Sequence, residues 1–260
     1  MTFTEIIGLA LAAAIAGLIN SVAGGGTILT FPVLLFFGTP ALVANATSTV
    51  ALVIGTAGSI FGFREHMTAI KPWLGRFIPV SILGGLIGSI LLTRTTDKVF
   101  GHLVPFLILF ATILFCAQGA FRKLSRKEAR ALPASGKGVW VAVAFQFAVS
   151  IYGGYFGAGI GILMLASLGF LGMADIHEMN ALKNLLGSLI NVVAAVWFLA
   201  ADIVDLRRAG VMTVGALVGY YVGARYSQRI PQQQVRRMIM AVGLIISAVM
   251  FFKTFVWGAT

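Results

Sequence analysis

Charge is what this chain has least of. Only 10% of its 260 residues are Asp, Glu, Lys or Arg, while 59% are hydrophobic; a soluble domain carries about 25% charged residues. A water-soluble fold cannot hide so much apolar side chain, because its surface-to-volume ratio leaves much of the chain facing solvent. Lipid removes that conflict. Cysteine is nearly absent as well: Cys116 stands alone in an apolar run, which excludes an intrachain disulfide and a thiolate metal site and leaves a buried, inert thiol as the expectation. The histidines, His66, His102 and His177, are far apart and lack metal-ligand spacing, so no metal and no cofactor is expected. Acidic residues are few. Glu5, Glu65, Asp97, Glu128, Asp175, Glu178, Asp202 and Asp205 all sit in or near loops, so none marks a mid-membrane proton relay. A basic n-region is also missing: Glu5 precedes the first apolar run, so residues 5–23 are expected to persist as a membrane segment rather than be cleaved as a signal peptide.

What is present is apolar sequence, nearly end to end. Ten apolar segments can be read: 5–23, 27–37, 42–62, 73–93, 103–121, 138–156, 160–173, 180–200, 209–225 and 237–257. A straight crossing takes about 20 residues. Seven or eight segments meet that on length, 209–225 is marginal, and 27–37 and 160–173 are too short. Gly38-Thr39-Pro40 reads as a tight connection, and Pro72 and Pro231 suit the first turns of helices, where a missing N–H costs nothing. The predicted fold is all-α: a polytopic membrane protein of about 8–10 membrane segments, some of them short broken or re-entrant helices.

The two sides of the polar stretch 122–137 resemble each other. The block from Asn20 through Gly24, Gly25, Gly26 and Thr27 to Leu29 has a counterpart from Gly153 through Gly157, Gly159 and Gly161 to Leu163. Asn45-Ala46-Thr47-Ser48 aligns with Asn180-Ala181-Leu182-Lys183, and Gly84-Gly85-Leu86-Ile87-Gly88 with Gly215-Ala216-Leu217-Val218-Gly219. The constant order points to a duplication: residues 1–121 as a first membrane repeat, 122–137 as a basic linker and 138–260 as a second repeat. Each half holds three longer segments plus one pair, which makes its number of crossings odd and the second half inverted. With the linker in the cytoplasm, thirteen basic residues fall on that side and five (Arg94, Lys98, Arg207, Arg208 and Lys253) on the other, as the positive-inside rule requires. That distribution also accounts for the net charge of +11 without a nucleic-acid partner, which would need the charges gathered on one folded polar face.

Inverted repeats with interrupted segments at matching positions are a pattern of secondary transporters. Gly24, Gly25 and Gly26 let the chain reverse, and Thr27 then opens a short helix whose first N–H groups lack intrahelical acceptors. At membrane depth such an end attracts anions. Gly157, Gly159 and Gly161 would do the same from the opposite side; close helix packing through small residues is the plainer alternative. Asn45, Thr47 and Ser48, with Asn180 and Asn184, open the third segment of each half, as hydrogen-bond partners for an oxyanion, as helix caps or as interhelical hydrogen-bonding groups. Lys183 lies in an apolar run, where a cation is costly unless it faces a cavity or a partner: an anionic substrate, Glu178 or Asp175. Asn20 and Asn191 follow by the same logic.

The block Asn20–Leu29, with Phe31-Pro32, Gly38-Thr39-Pro40 and Ala44–Ser48, resembles the TauE/SafE family of sulfite and organosulfonate transporters, and Gly153–Gly161 resembles that family's second copy. The resemblance covers nearly the whole chain. It implies a non-enzymatic carrier of small sulfur oxyanions or sulfonates in the bacterial inner membrane. The second half departs from the family pattern, with Leu182-Lys183-Asn184 where Thr-Ser is usual and Leu165 near the place of Pro32. A fixed cation there would suit a larger anion, such as a sulfonate bearing a carboxylate. The expected partners are a small anion and the lipid bilayer; a homodimer is compatible with this reading. The rivals are a carrier of some other small organic or inorganic anion, and an intramembrane enzyme. The latter needs a nucleophile–base pair on one helix face, and neither Ser48 nor Ser188 has a histidine beside it.

Overall fold

The computed structural model describes residues 1–22, 25–62, 67–128, 137–170, 173, 175–226, 232–252 and 254–255. Gly24, Pro231, His66 and the basic residues Arg64, Arg130, Arg229 and Lys253 lie outside the described residues. Among the described residues ten α-helices follow in order: α1 (Phe3–Val22), α2 (Thr27–Phe36), α3 (Ala41–Gly62), α4 (Met67–Arg94), α5 (Asp97–Glu128), α6 (Lys137–Tyr155), α7 (Ile160–Phe170), α8 (Ile176–Ala200), α9 (Leu206–Tyr226) and α10 (Gln232–Phe252). Each coincides with one of the ten apolar segments. Among the described residues, four stretches are both long and apolar enough to cross a bilayer: Phe3–Ser21, Thr68–Arg94, Asp97–Ala117 and His177–Ala200. That is fewer than the seven or eight expected from length alone. The outer surface is broadly apolar, with Leu11, Ile54, Phe106, Val214, Ile245 and Phe252 among its exposed side chains. A contiguous apolar exterior of this kind needs lipid to cover it. The chain is an all-α, multi-pass membrane protein.

Several local expectations need correction. Pro72 sits inside α4 together with Pro79, because the helix begins at Met67; membrane helices tolerate such interruptions when neighbouring groups satisfy the freed backbone. Helix α5 runs on to Glu128, carrying the first residues of the basic stretch as helix. Cys116 is exposed, not buried: the outward face of an apolar membrane helix is solvated by lipid, so apolar surroundings in sequence do not place a side chain in the protein core. Asn45 and Asn180 do not cap their helices. The start of α3 is capped from α5, where the Asp97 carboxylate accepts from Leu42 N–H (2.8 Å). Asp175 caps α8, accepting from His177 N–H (2.7 Å) and Glu178 N–H (3.4 Å). The expected tight connection at Gly38 is present. Gly38 adopts φ +78, and Gly38 N–H and Thr39 N–H bond back to the carbonyls of Leu35 and Leu34, the closing pattern of a helix that ends on glycine.

Small residues decide how the helices meet. Helix α1 packs along α9, and α4 along α6. A Cβ added to Gly215 or Gly219 would strike the carbonyl oxygens of Ala10 and Ala14, and one added to Gly17 would strike that of Ala216. In the other pair, Gly84 lies against Ser150, Gly88 against the Ile151 carbonyl and Gly154 against that of Gly85. In both pairs the residue numbers rise together, so the partners run in the same direction. Without Cβ atoms the backbones approach closely enough for dispersion and weak polar contacts, which drive helix association where lipid removes the hydrophobic incentive. Thus the two aligned glycine blocks, Gly84–Gly88 and Gly215–Gly219, are packing surfaces. Between the halves, α3 also meets α8 and α9, α4 meets α8, α5 meets α7 and α10, and α2 meets α10. Exchanging α1–α5 with α6–α10 in these pairings returns the same set, whereas the slighter contacts of α1 with α10 and of α3 with α5 have no counterpart of like extent among the described residues.

Candidate functional site

Helices α5 and α10 cross where Gly243 meets the Thr112 side chain. Both helix breaks lie beside that crossing. Gly25, at φ +94, is packed so closely on the Phe115 ring that a Cβ would overlap it. It also lines a small apolar pocket with Ile19, Ile28, Leu29, Met238, Ile239 and Val242. A Cβ added to Gly159, at φ +79, would stand 3.5 Å from Leu114 and 3.7 Å from Ala111. One stretch of α5, Ala111–Phe115, therefore touches both breaks.

The two breaks are furnished differently. In the first, the Asn20 side chain reaches forward from α1: its Oδ1 accepts Gly26 N–H (2.7 Å) and its Nδ2 donates to the Tyr220 hydroxyl (2.8 Å). One of the donors expected to be bare is thus already occupied. Ile28 N–H bonds the Gly25 carbonyl, and Leu29 and Thr30 N–H both bond that of Gly26. Thr27 opens α2 half-buried. One turn on, the Thr30 and Ser48 hydroxyls share a 2.6 Å hydrogen bond, both fully buried. Thr47, also fully buried, accepts from Asp205 N–H (3.0 Å) and so secures the start of α9. Its hydroxyl serves the fold; nothing in its contacts faces the breaks.

In the second break, α6 ends with Phe156 and Gly157 N–H both on the Tyr152 carbonyl, Gly157 at φ +82. The Tyr152 hydroxyl donates to the Ala158 carbonyl (2.8 Å). Ile160 N–H and Ile162 N–H turn back onto Gly157 and Gly159, while Gly161 N–H has no backbone acceptor among the described residues. Two outside elements close on this break. From α3, Asn45 Nδ2 donates to the Tyr155 carbonyl (3.1 Å). From α8, the aliphatic stem of Lys183 lies over Gly161, its Cδ 3.3 Å from where a Cβ would stand. Lys183 Nζ donates to Asn180 Oδ1 (3.1 Å). Among the described residues Lys183 makes no ion pair, so the expected pairing with Glu178 or Asp175 is not found there. The structure thus sets Gly157, Gly159 and Gly161 in one break, with Asn45 at its α6 end and Lys183, bonded to Asn180, over its α7 end. Asn184 and Asn191 lie half-buried further along α8.

The shortest ionic contact among the described residues was not legible as such in the sequence. Arg208 ties α9 to the opposite half: Nη2 meets Glu5 Oε1 at 2.7 Å, Nη1 donates to Thr39 Oγ1 (2.9 Å) and Nη2 to the Phe37 carbonyl (3.1 Å). Two charges in the first turns of helices 203 residues apart give no local signal of a pair.

Curated relatives cover almost the whole chain. It is 25% identical over 92% of its length to a protein of Haemophilus influenzae named probable membrane transporter protein, covering 91% of that protein. It is 24% identical to the probable membrane transporter protein YfcA of Escherichia coli K12, over 93% of this chain and 88% of that one. A probable membrane transporter protein ORF9 of Sinorhizobium sp is 25% identical over 95% of this chain and 92% of its own. No solved structure matches the chain. The family described as sulfite exporter TauE/SafE matches residues 9–250, and this chain belongs to that family.

Proposed function

We propose that this chain carries a small sulfur-containing anion, sulfite or an organosulfonate, across the bacterial inner membrane by alternating access between two inverted repeats. Family membership already makes it a membrane transporter of a small anion and not an enzyme. The observation that carries the finer reading is Lys183 laid over Gly161. It puts an ammonium without a carboxylate partner, among the described residues, at the first turn of an eleven-residue helix in mid-chain. A cation in a membrane segment is costly unless a ligand or partner answers it, and the positive end of a helix dipole adds to its pull on an anion. The first half contributes the matching break at Gly25–Thr27, with Gly24 outside the described residues. Both breaks abut the α5–α10 crossing, which favours one central site over two surface ones. Ser48, Thr47, Asn184 and Asn180 are the further candidates from the sequence; the contacts above favour Asn180 and leave Thr47 a structural part.

The repeat organisation, 1–121 and 138–260 about a cytoplasmic linker, has its own support. Helices α1 and α9 run in the same direction, as do α4 and α6, and the more extensive pairings between the halves survive their exchange. If successive helices alternate direction, α1 and α6 must then oppose each other. The positive-inside count gives the linker side.

The test is anion-dependent thermal stabilisation of the purified protein with sulfite, sulfate, thiosulfate, taurine and sulfoacetate, paired with flux in liposomes. Selective stabilisation by one sulfur anion, reduced at least tenfold in apparent affinity by Lys183→Gln, is the expected result; about that much follows from losing a charge-assisted hydrogen bond. Sulfur-anion binding unaffected by Lys183→Gln would remove Lys183 from the site.

A further inference from the structure

One face of α8 is polar and leaves a space beside it. Asn180, Asn184, Gly187 and Asn191 recur at intervals of four, three and four residues, the spacing of a single helical face. All four are half-buried. The face points into the protein and not into lipid. Continued by the same spacing it reaches Ala195 and Phe198, both buried, whereas Val192, Val196 and Leu199, which fall on the other side, are exposed. Its flanks are closed. On one side Ser188 Oγ donates to the Thr56 carbonyl of α3 (2.8 Å); on the other, Ile190 is fully buried against Gly85 of α4 and Gly153 of α6. Between these flanks the face is unfilled: a Cβ added to Gly187 meets nothing within 4 Å, and the amides of Asn184 and Asn191 have no hydrogen-bond partner among the described residues. Carboxamides inside a membrane helix are costly unless a cavity or a partner answers them.

The first half of the chain lacks this recess. At the offset that aligns Asn45 with Asn180, Leu52 stands where Gly187 is, and Leu52 is packed into the core. The leucine occupies its place; the glycine leaves its own open. Lys183 brings a charge to the same face, because its Nζ is held by Asn180 Oδ1 at 3.1 Å and Asn184 is the next residue on that face after Asn180. From the level of Asn180 to that of Gly187 is about 10 Å at 1.5 Å per residue. An oxyanion head in contact with Nζ, a short carbon body and a van der Waals contact span that length. A bare oxyanion stops short of it.

Resting on the anion site proposed above, we infer that this face of α8 is a tail subsite: the ligand is an oxyanion with a short tail, whose head meets Lys183, whose tail ends over Gly187, and whose tail carries a polar group that hydrogen-bonds the Asn184 amide. Gly187 sets how long the tail can be, and Asn184 sets what it carries. Asn191 stands one turn beyond Gly187 and lines the far end of the recess.

Three monoanions with one head and different tails test this on the full-length protein in detergent, by binding calorimetry: methanesulfonate, propane-1-sulfonate and isethionate (2-hydroxyethanesulfonate). The wild type should bind isethionate about tenfold more tightly than methanesulfonate, with propane-1-sulfonate between them. Gly187→Leu, which writes the first half's residue into the second, should bring the ratio of isethionate to methanesulfonate affinity to one or below. Gly187→Ala, whose added methyl meets no atom of the fold, should lower the ratio by less and serves if Gly187→Leu does not fold. Asn184→Leu should erase the preference for isethionate over propane-1-sulfonate. A wild type that binds all three alike overturns the inference. So does an isethionate-to-methanesulfonate ratio that both Gly187 variants leave unchanged, the result expected if the recess holds only water, and so does a preference over propane-1-sulfonate that survives Asn184→Leu. The head site is read separately. Lys183→Gln should weaken all three ligands; if it weakens none, or if the wild type binds none, the anion site falls and the tail subsite with it. Binding of methanesulfonate alone, lost in Lys183→Gln, would leave the anion site standing and remove only the tail subsite.

Discussion

Arg208 and Glu5 meet at 2.7 Å across 203 residues of chain, with side chains only 18% and 10% exposed. The pair stitches the start of α1 to the start of α9, and the same guanidinium takes in the turn between α2 and α3 through Thr39 and Phe37. Breaking one partner of such a pair leaves a poorly solvated charge, which costs about 3–5 kcal/mol when burial is complete. Arg208→Met should destabilise by somewhat less than that, about 2–3 kcal/mol, because both groups keep some solvent contact. Glu5→Gln should cost less again, since Arg208 retains Thr39, Phe37 and Asp205. Thermal unfolding in detergent measures both, and the double variant should lose less than the sum of the two. Strict additivity would show that the contact carries no coupling.

The glycine packing makes a paired prediction. Gly219→Ala places a methyl on the Ala14 carbonyl, so α1 and α9 must separate, at about 1–3 kcal/mol. Gly75→Ala meets nothing within 4 Å and should be neutral to mildly stabilising, since alanine is the better helix former. Equal melting temperatures for the two variants would remove the close approach of α1 and α9 as a source of stability.

Asn20 answers both Gly26 N–H and the Tyr220 hydroxyl. Asn20→Ala orphans the two together, at about 1–3 kcal/mol for each group left unsatisfied, less where water can enter. Tyr220→Phe removes only one of the contacts and should be the milder change. Unfolding midpoints in one detergent decide this, and a Tyr220→Phe effect as large as that of Asn20→Ala would place the main contribution at the hydroxyl instead.

Helix α8 starts on Asp175, so Asp175→Ala should cost about 1 kcal/mol. Asn180→Ala should leave the helix start unchanged, as seen in amide hydrogen exchange over 176–180. Loss of protection there in Asn180→Ala would restore the capping role that the sequence alone suggests.

Helix positions were readable because each apolar run is long and bounded by glycine, proline or charge, the features that govern where a backbone can leave a helix. The helix breaks were readable for the same reason: Gly25, Gly157 and Gly159 do adopt positive φ. Roles within the site were harder. The polar stretches at Asn45 and Asn180 suit oxyanion contact, capping and interhelical bonding alike; the caps are Asp97, from another helix, and Asp175, five residues before Asn180, while Asn45 bonds across to α6. Sequence spacing reports local bonds, whereas Asn45 to Tyr155 and Leu42 to Asp97 are set by tertiary packing. Cys116 misled for a related reason: hydropathy along a membrane helix does not separate the side that meets protein from the side that meets lipid.

Because the glycine-notched partner that α1 packs along most extensively is α9, and that of α4 is α6, synthesis imposes an order on assembly. The first helix leaves the ribosome almost two hundred residues before the surface it fits exists. Until then its small-residue face has only lipid for company, which is tolerable because hydrocarbon solvates such a face nearly as well as protein does. The polypeptide is thus woven rather than built in sequence, with strands from each end of the gene product interleaved. Severed at the basic stretch, the two fragments should each remain incomplete, and should regain a defined shape only when they are made together in one membrane.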